Sequence, residues 1–203
     1  MRSLGRAGRA VCLSLGIVAA VAGTAQAATT TTVVDTSSCS DPLLSQPFVP
    51  THDSNWYTLA PGENADSFNG TGWVLGGGAS ITTTTLADGS IGSVLNLPSG
   101  ATAQSPVMCV TSAYPRARTE VRDVAGSEGV FFYVSYEGTK TWAAPKNTGQ
   151  MHGNQTAWTL ASPVNVQPAG GTGWQPVRFT FVAGGKTSDF QLYDFYVDPH
   201  CRS

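Results

Sequence analysis

Charge is scarce in this sequence: 11 Lys and Arg and 13 Asp and Glu make up 12% of 203 residues. No stretch gathers Lys and Arg into a patch. That excludes recognition of a nucleic-acid backbone and attraction to an anionic membrane surface, both of which need clustered cations. Long segments rich in Ala, Leu, Glu and Lys are missing, and no window carries a helical apolar stripe, so a helical bundle is excluded. No H-E-x-x-H and no G-x-S-x-G occurs, and the histidines His52, His152 and His200 lie on separate segments. The four cysteines show no C-x-x-C spacing, which excludes a zinc cage. No internal repeat is present.

What the chain does have begins at its N-terminus. Arg2, Arg6 and Arg9 precede an apolar run, "AVCLSLGIVAAVAG", over residues 10–23. The run is shorter than the roughly 20 residues that span a bilayer. Ala25-Gln26-Ala27 has the small-residue pattern of a cleavage site. Residues 1–27 are therefore expected to be a signal peptide, cut after Ala27, and the protein to be exported with no stable membrane anchor. Cys12 leaves with the signal. A mature chain of about 175 residues is one domain, burying roughly 70% of its unfolded surface. Its formal charge falls to near −5, because the signal removes three Arg and no acid.

Cys39, Cys109 and Cys201 remain, and an oxidising compartment favours one disulfide among them. The favoured pair is Cys39–Cys109, which closes about 70 residues of chain and contributes about 4 kcal/mol in the chain-entropy model. Cys39–Cys201 is the alternative, since the first and last strands of many sandwiches lie side by side. Residues 28–38, "ATTTTVVDTSS", read as a flexible leader with little to bury. The segment after them carries Pro42, Pro47, Pro50 and Pro61 and reads as extended and irregular. Its Leu43, Leu44 and Phe48 are expected to pack along a sheet edge.

From residue 73 the pattern is β throughout. "WVLGGGASITTTTL", "SVLNLP", "TAQSPVMCV", "ARTEVRDV", "VFFYVSYEG", "QTAWTLA", "PVRFTFVAG" and "FQLYDFYVDP" are short, rich in Val, Thr, Phe and Tyr, and bounded by turn formers. In "PVRFTFV" the residues Val177, Phe179 and Phe181 share one face, the period of a half-buried strand. The predicted fold is all-β, a single jelly-roll β-sandwich spanning residues 39–203.

The segments "CSDPLLSQPF", "YTLAPG", "GTGWVLGGGAS", "LNLPSGATAQSPVMCV" and "YDFYVDP", in this order and spacing, resemble a group of secreted actinobacterial proteins without assigned function. The resemblance covers residues 39–199. More distantly the plan is similar to the galactose-binding-like jelly rolls found in carbohydrate-binding modules. It implies a glycan as partner and a structural calcium near the last strand. The calcium candidates are Glu63, Asp66 and Asp194. The sequence departs from the pattern of paired aspartates, with Tyr193 preceding Asp194. In a regular strand Tyr193, Phe195 and Val197 share the inner face and Asp194 points away, which leaves too few oxygens for calcium. No metal or other cofactor is therefore expected.

Two questions remain about tryptophan. Trp73, in "SFNGTGWVLGGGAS", reads as a buried sandwich residue rather than a ligand platform. Trp142 heads the polar stretch 138–156, which mixes one aromatic with Lys146, Asn147, Gln150, His152, Asn154 and Gln155. As a solvated loop it needs no function. As a site, Trp142 stacks on a sugar ring while Asn147, His152 and Asn154 bond its hydroxyls.

The expected function is that of a secreted, non-catalytic β-sandwich binding neutral polysaccharide or an extracellular or cell-wall glycan. The alternatives are a structural or interaction protein of the cell envelope and an unrecognised polysaccharide hydrolase or lyase. Against catalysis, Asp194 and Asp198 share a face but stand about 13 Å apart along a regular strand. A glycosidase needs its two carboxylates closer than that.

Overall fold

The computed structural model describes residues 34–111, 116–166 and 173–199. The expected signal peptide 1–27, residues 28–33 of the leader, His200 and Cys201 lie outside the described residues. Among the described residues there are thirteen strands: β1 Thr58–Leu59, β2 Val74–Gly76, β3 Ser80–Thr85, β4 Ile91–Pro98, β5 Thr102–Gln104, β6 Met108–Val110, β7 Arg116–Ala125, β8 Val130–Tyr136, β9 Lys146–Met151, β10 Thr159–Leu160, β11 Val164–Asn165, β12 Gln175–Ala183 and β13 Asp189–Asp198. The one helical element among them is a 3-10 turn at Val49–Thr51.

The strands form two antiparallel sheets that face each other as a jelly-roll sandwich, as the period of two predicts. One runs β10-β7-β13-β4-β3, with β1 on β13 and β11 on β7. The other runs β2-β5-β12-β8-β9, with β6 on β12. Along β7, Ala117, Thr119, Val121 and Asp123 are buried while Arg118, Glu120 and Arg122 turn away. Along β12, Val177, Phe179, Phe181 and Ala183 are buried. Between the sheets Phe132, Phe179, Phe181 and Phe195 are wholly or almost wholly buried and pack ring against ring at 5.0–5.8 Å. Each such ring contributes about 1.5–3 kcal/mol by leaving water.

Four local expectations change. "TAQSPVMCV" is not one strand, because Ser105-Pro106 separates β5 from β6 along the same partner, β12. The stretch 138–156 is not all loop, since Lys146–Met151 pairs with β8 as an edge strand. Its polar residues alternate weakly because an edge strand of this kind buries little. Leu43 does not pack on the sheet edge; it is 95% exposed, while Phe48 of the same segment is buried against Tyr57 and Tyr196. Last, β13 is not regular. Tyr193 lies opposite Glu120 and Tyr196 opposite Arg118, so Asp194 and Phe195 share the place of one residue. Asp194 takes φ +55° at this bulge, and the Thr119 hydroxyl donates to the Tyr193 carbonyl at 2.7 Å. Tyr193 therefore faces outward with Glu120, not inward with Phe195.

Candidate functional site

The outer face of the six-stranded sheet carries side chains that the core does not require. Register places Val74 opposite Gln104, Gln104 opposite Thr180, Thr180 opposite Tyr133, and Tyr133 opposite Asn147. Directly opposed residues point to the same side. Since Phe132, Phe179 and Phe181 point inward, this row faces out across all five strands. The next row is Thr102, Val182, Phe131 and Gln150. On the other side of the first row, Arg178 lies opposite Ser135, and its guanidinium carbon sits 4.2 Å from the centroid of the Trp142 ring. A β-bridge pairs Trp142 with Glu137, whose N–H donates to the Pro176 carbonyl at 3.0 Å.

Phe131, Tyr133 and Trp142 are half-buried here, and Asn147 and Gln150 are exposed. The polar groups are only lightly engaged. Gln104 Nε2 donates to Thr180 Oγ1 at 3.4 Å, and Asn147 Oδ1 accepts the Gly149 N–H at 2.9 Å. An amide has four hydrogen-bonding sites, so both retain capacity. The face thus combines flat apolar surface with free donors and acceptors. That combination suits a sugar ring, which presents C–H groups on its faces and hydroxyls at its rim. Among the described outward positions of this sheet, Glu137 is the single carboxylate, whereas glycoside hydrolysis needs two about 5–10 Å apart.

The four residues expected to act together are divided. Trp142 and Asn147 lie on this face. His152 and Asn154 lie past the end of β9, on the connection to the other sheet. His152 abuts Gly129 in the turn between β7 and β8. Asn154 bridges Ala157 in a tight turn, and Gly153 N–H donates to Asp123 Oδ1. Five residues of strand separate Asn147 from His152 by about 16 Å. Phe131, Tyr133, Gln104, Thr180 and Arg178 escaped the sequence reading. "VFFYVSY" did hold the signal, because its aromatics occupy both parities of one strand.

The other tryptophans go elsewhere. Trp158 donates its indole N–H to the Thr85 carbonyl at 2.9 Å, stands edge-on to Tyr193, and lies 4.7 Å from the Arg122 guanidinium carbon. It covers the outer side of the seven-stranded sheet, where Arg122 bonds Gln191 and Thr84 and Gln191 bonds Asn96. Those groups are engaged with one another. Trp174 lines a cavity of about 470 Å³ that also takes in Glu137, at the end of the six-stranded face.

The three acidic residues that the resemblance assigns to calcium do meet in one corner. Asp66 N–H donates to Asp194 Oδ1 at 2.7 Å, and Phe195 N–H donates to Glu63 Oε2 at 3.0 Å. Glu63 Oε1 is buried without a hydrogen-bond partner. These donors do not fit a calcium ion. Asp66 meets Asp194 through its main-chain N–H, and no three His, Cys, Asp or Glu among the described residues converge as ligands. Calcium takes six to eight oxygens. Burial pushes the Glu63 carboxyl well above the usual range, against the Phe195 N–H, and the nearby Asp194 charge adds to the rise. Burial also pushes Asp194 up to about 6, against the Asp66 N–H, with the charges of Asp66 and Asp88 adding to it.

A carboxyl whose folded pKa exceeds its unfolded one binds its proton more tightly when folded. Stability is then greatest below the unfolded value, and is lost as pH rises toward the folded one. For Asp194 that window runs from 3.8 to about 6, and Glu63 extends it upward. The thermal midpoint is expected to fall between pH 4 and pH 7, and Glu63→Gln to flatten the fall. EDTA at pH 7 is expected to leave the midpoint in place. A midpoint lowered by EDTA would place a cation in this corner, since a bound ion stabilises the folded state.

No family model and no curated protein matches the chain. Several solved structures share a β-sandwich plan with it. A family 11 carbohydrate-binding module from Clostridium thermocellum, in complex with a β-1,3-1,4-mixed-linked tetrasaccharide, is 11% identical, with a TM-score of 0.42 over 65% of this chain and 90% of that one. The first family 22 module, a xylan-binding domain, of Paenibacillus barcinonensis Xyn10C is 12% identical, with a TM-score of 0.42 over 64% and 88%. An arabinose-bound family 51 α-L-arabinofuranosidase is 15% identical, with a TM-score of 0.45 over 72% of this chain but 27% of that one. At these identities and scores, what those proteins bind or cleave says nothing of what this chain does.

Proposed function

We propose that the protein is a secreted, non-catalytic sandwich that holds neutral polysaccharide against the outer face of its six-stranded sheet. One observation carries the reading: Phe131, Tyr133 and Trp142 turn outward among Gln104, Asn147 and Gln150, while the core is filled without them. Rings stack on the aromatic surface, and the amides and Arg178 bond the rim hydroxyls. Among the described outward positions Glu137 is the single carboxylate, which argues against hydrolysis on this face. A formal charge near −5 for the exported chain repels polyanionic glycans. The cysteine pair and the N-terminal apolar run support an extracellular or cell-wall setting.

A shallow site of this kind binds with a dissociation constant of roughly 0.1–1 mM, about 4–5.5 kcal/mol. The test is retention on insoluble xylan and mixed-linkage β-glucan. The wild type is expected to be retained. Trp142→Ala and Tyr133→Ala are each expected to abolish retention while moving the thermal midpoint by no more than about 2 °C, since neither ring fills the core. Retention unchanged in both variants, or none in the wild type, would overturn the reading and leave a structural or interaction role in the cell envelope. Release of reducing sugar would overturn its non-catalytic part.

A further inference from the structure

The cavity at the Glu137 end of this face has a built shape. Trp174 and Pro176 form its apolar wall, Glu137 and Gln175 supply polar groups, and Val34 and Thr36 from the N-terminal segment complete its lining. Its volume, about 470 Å³, falls in the range of small-ligand sites. The Glu137 carboxylate is half-buried and makes no hydrogen bond or ion pair with any described residue. Arg178, on the same face, is drawn over Trp142 instead.

The N-terminal segment that lines the cavity is tied to the sandwich at Cys39. Thr36 accepts the Cys39 N–H at 2.9 Å, and Cys39 is bonded to Cys109 of β6. Val34 and Thr36 stand with Glu137 around the cavity at this end of the face.

We infer that this cavity is a terminal subsite that takes the last sugar ring of a polysaccharide, and that the disulfide-anchored N-terminal segment makes the groove end-selective. The inference rests on the glycan-binding reading and adds where on the chain the protein binds. A terminal ring carries one hydroxyl that every internal ring has lost to a glycosidic bond. The Glu137 carboxylate accepts from that hydroxyl and its neighbour, Gln175 bonds the rim, and Trp174 and Pro176 form the apolar wall beside the ring. An internal ring, continuing in both directions, meets Val34 and Thr36.

The probes are soluble mixed-linkage β-glucan and xylan, each intact and after partial acid hydrolysis that multiplies chain ends at constant mass. Protein bound at saturation per gram is expected to rise in proportion to the number of ends. Glu137→Gln, which keeps size and shape, is expected to weaken binding about tenfold, as the loss of a charge-assisted hydrogen bond does. Trp174→Ala is expected to weaken it further, with its thermal midpoint measured alongside. Capacity that follows mass, with Glu137→Gln binding like the wild type, overturns end-selectivity and leaves the face as the site. Failure of the wild type to bind either probe overturns both.

Discussion

Trp73→Ala is expected to lower stability by about 3–5 kcal/mol, the cost of deleting a large buried aromatic. In a domain of this size that is a fall in thermal midpoint of roughly 6–20 °C. Trp73 is 8% exposed and lies parallel to Phe181 at 5.9 Å, with Phe68 at 4.8 Å and Phe195 at 6.2 Å. Its indole N–H donates to the Pro61 carbonyl at 2.9 Å, so the ring's one polar atom is satisfied inside. The flanking Gly70 and Gly72 hold φ values of +69° and +78°, which side chains rarely adopt, and so turn the chain into β2. Trp73→Phe should recover part of the loss, because an aromatic ring still meets Phe68, Phe181 and Phe195 while the hydrogen bond to Pro61 and the larger indole volume are lost. Scanning calorimetry of the two variants decides the matter. A midpoint within about 2 °C of the wild type for Trp73→Ala, together with lost glycan retention, would make Trp73 a ligand platform instead.

Trp73 also shows what the sequence could disclose. A tryptophan behind two glycines at the start of a β run can be placed by period and turn chemistry, and both sheets of the sandwich follow from the same alternation. Where alternation fails, so does legibility. The bulge at Asp194 reversed the facing of Tyr193, because a period-two reading assumes a regular strand. β9 was hidden because an exposed edge strand needs no apolar face. The site was half legible for the same reason. Trp142 and Asn147 stand out by composition, yet His152 and Asn154, near them in sequence, are carried away along β9. Gln104, Thr180 and Tyr133 come from three strands far apart in the chain, and only the register joins them. The cavity brings Val34 and Trp174, some 140 residues apart in the chain, into one lining that no local pattern announces.

Joint replacement of Cys39 and Cys109 by serine is expected to lower stability by about 4 kcal/mol, near 8–16 °C in midpoint. The two cysteines, 70 residues apart in sequence, are bonded in the structure as the spacing argument favoured. Breaking the link frees the unfolded chain, which is where most of the loss arises in the chain-entropy model. The folded state should feel it locally. Cys109 sits in β6 opposite Pro176, so the bond ties the N-terminal segment to a strand paired with β12, whose Gln175 and Pro176 line the cavity. Without it, Val34 and Thr36 lose their anchor while the face around Tyr133 keeps its own. Two readouts on the Cys39→Ser/Cys109→Ser protein separate the consequences. The thermal midpoint should drop, and below that midpoint, retention on insoluble polysaccharide should persist while the preference for chain ends declines. An unchanged midpoint would mean that contacts along β13 and β12 hold the N-terminal segment without the bond. A lowered midpoint with end preference intact would show that the cavity wall stands on packing alone.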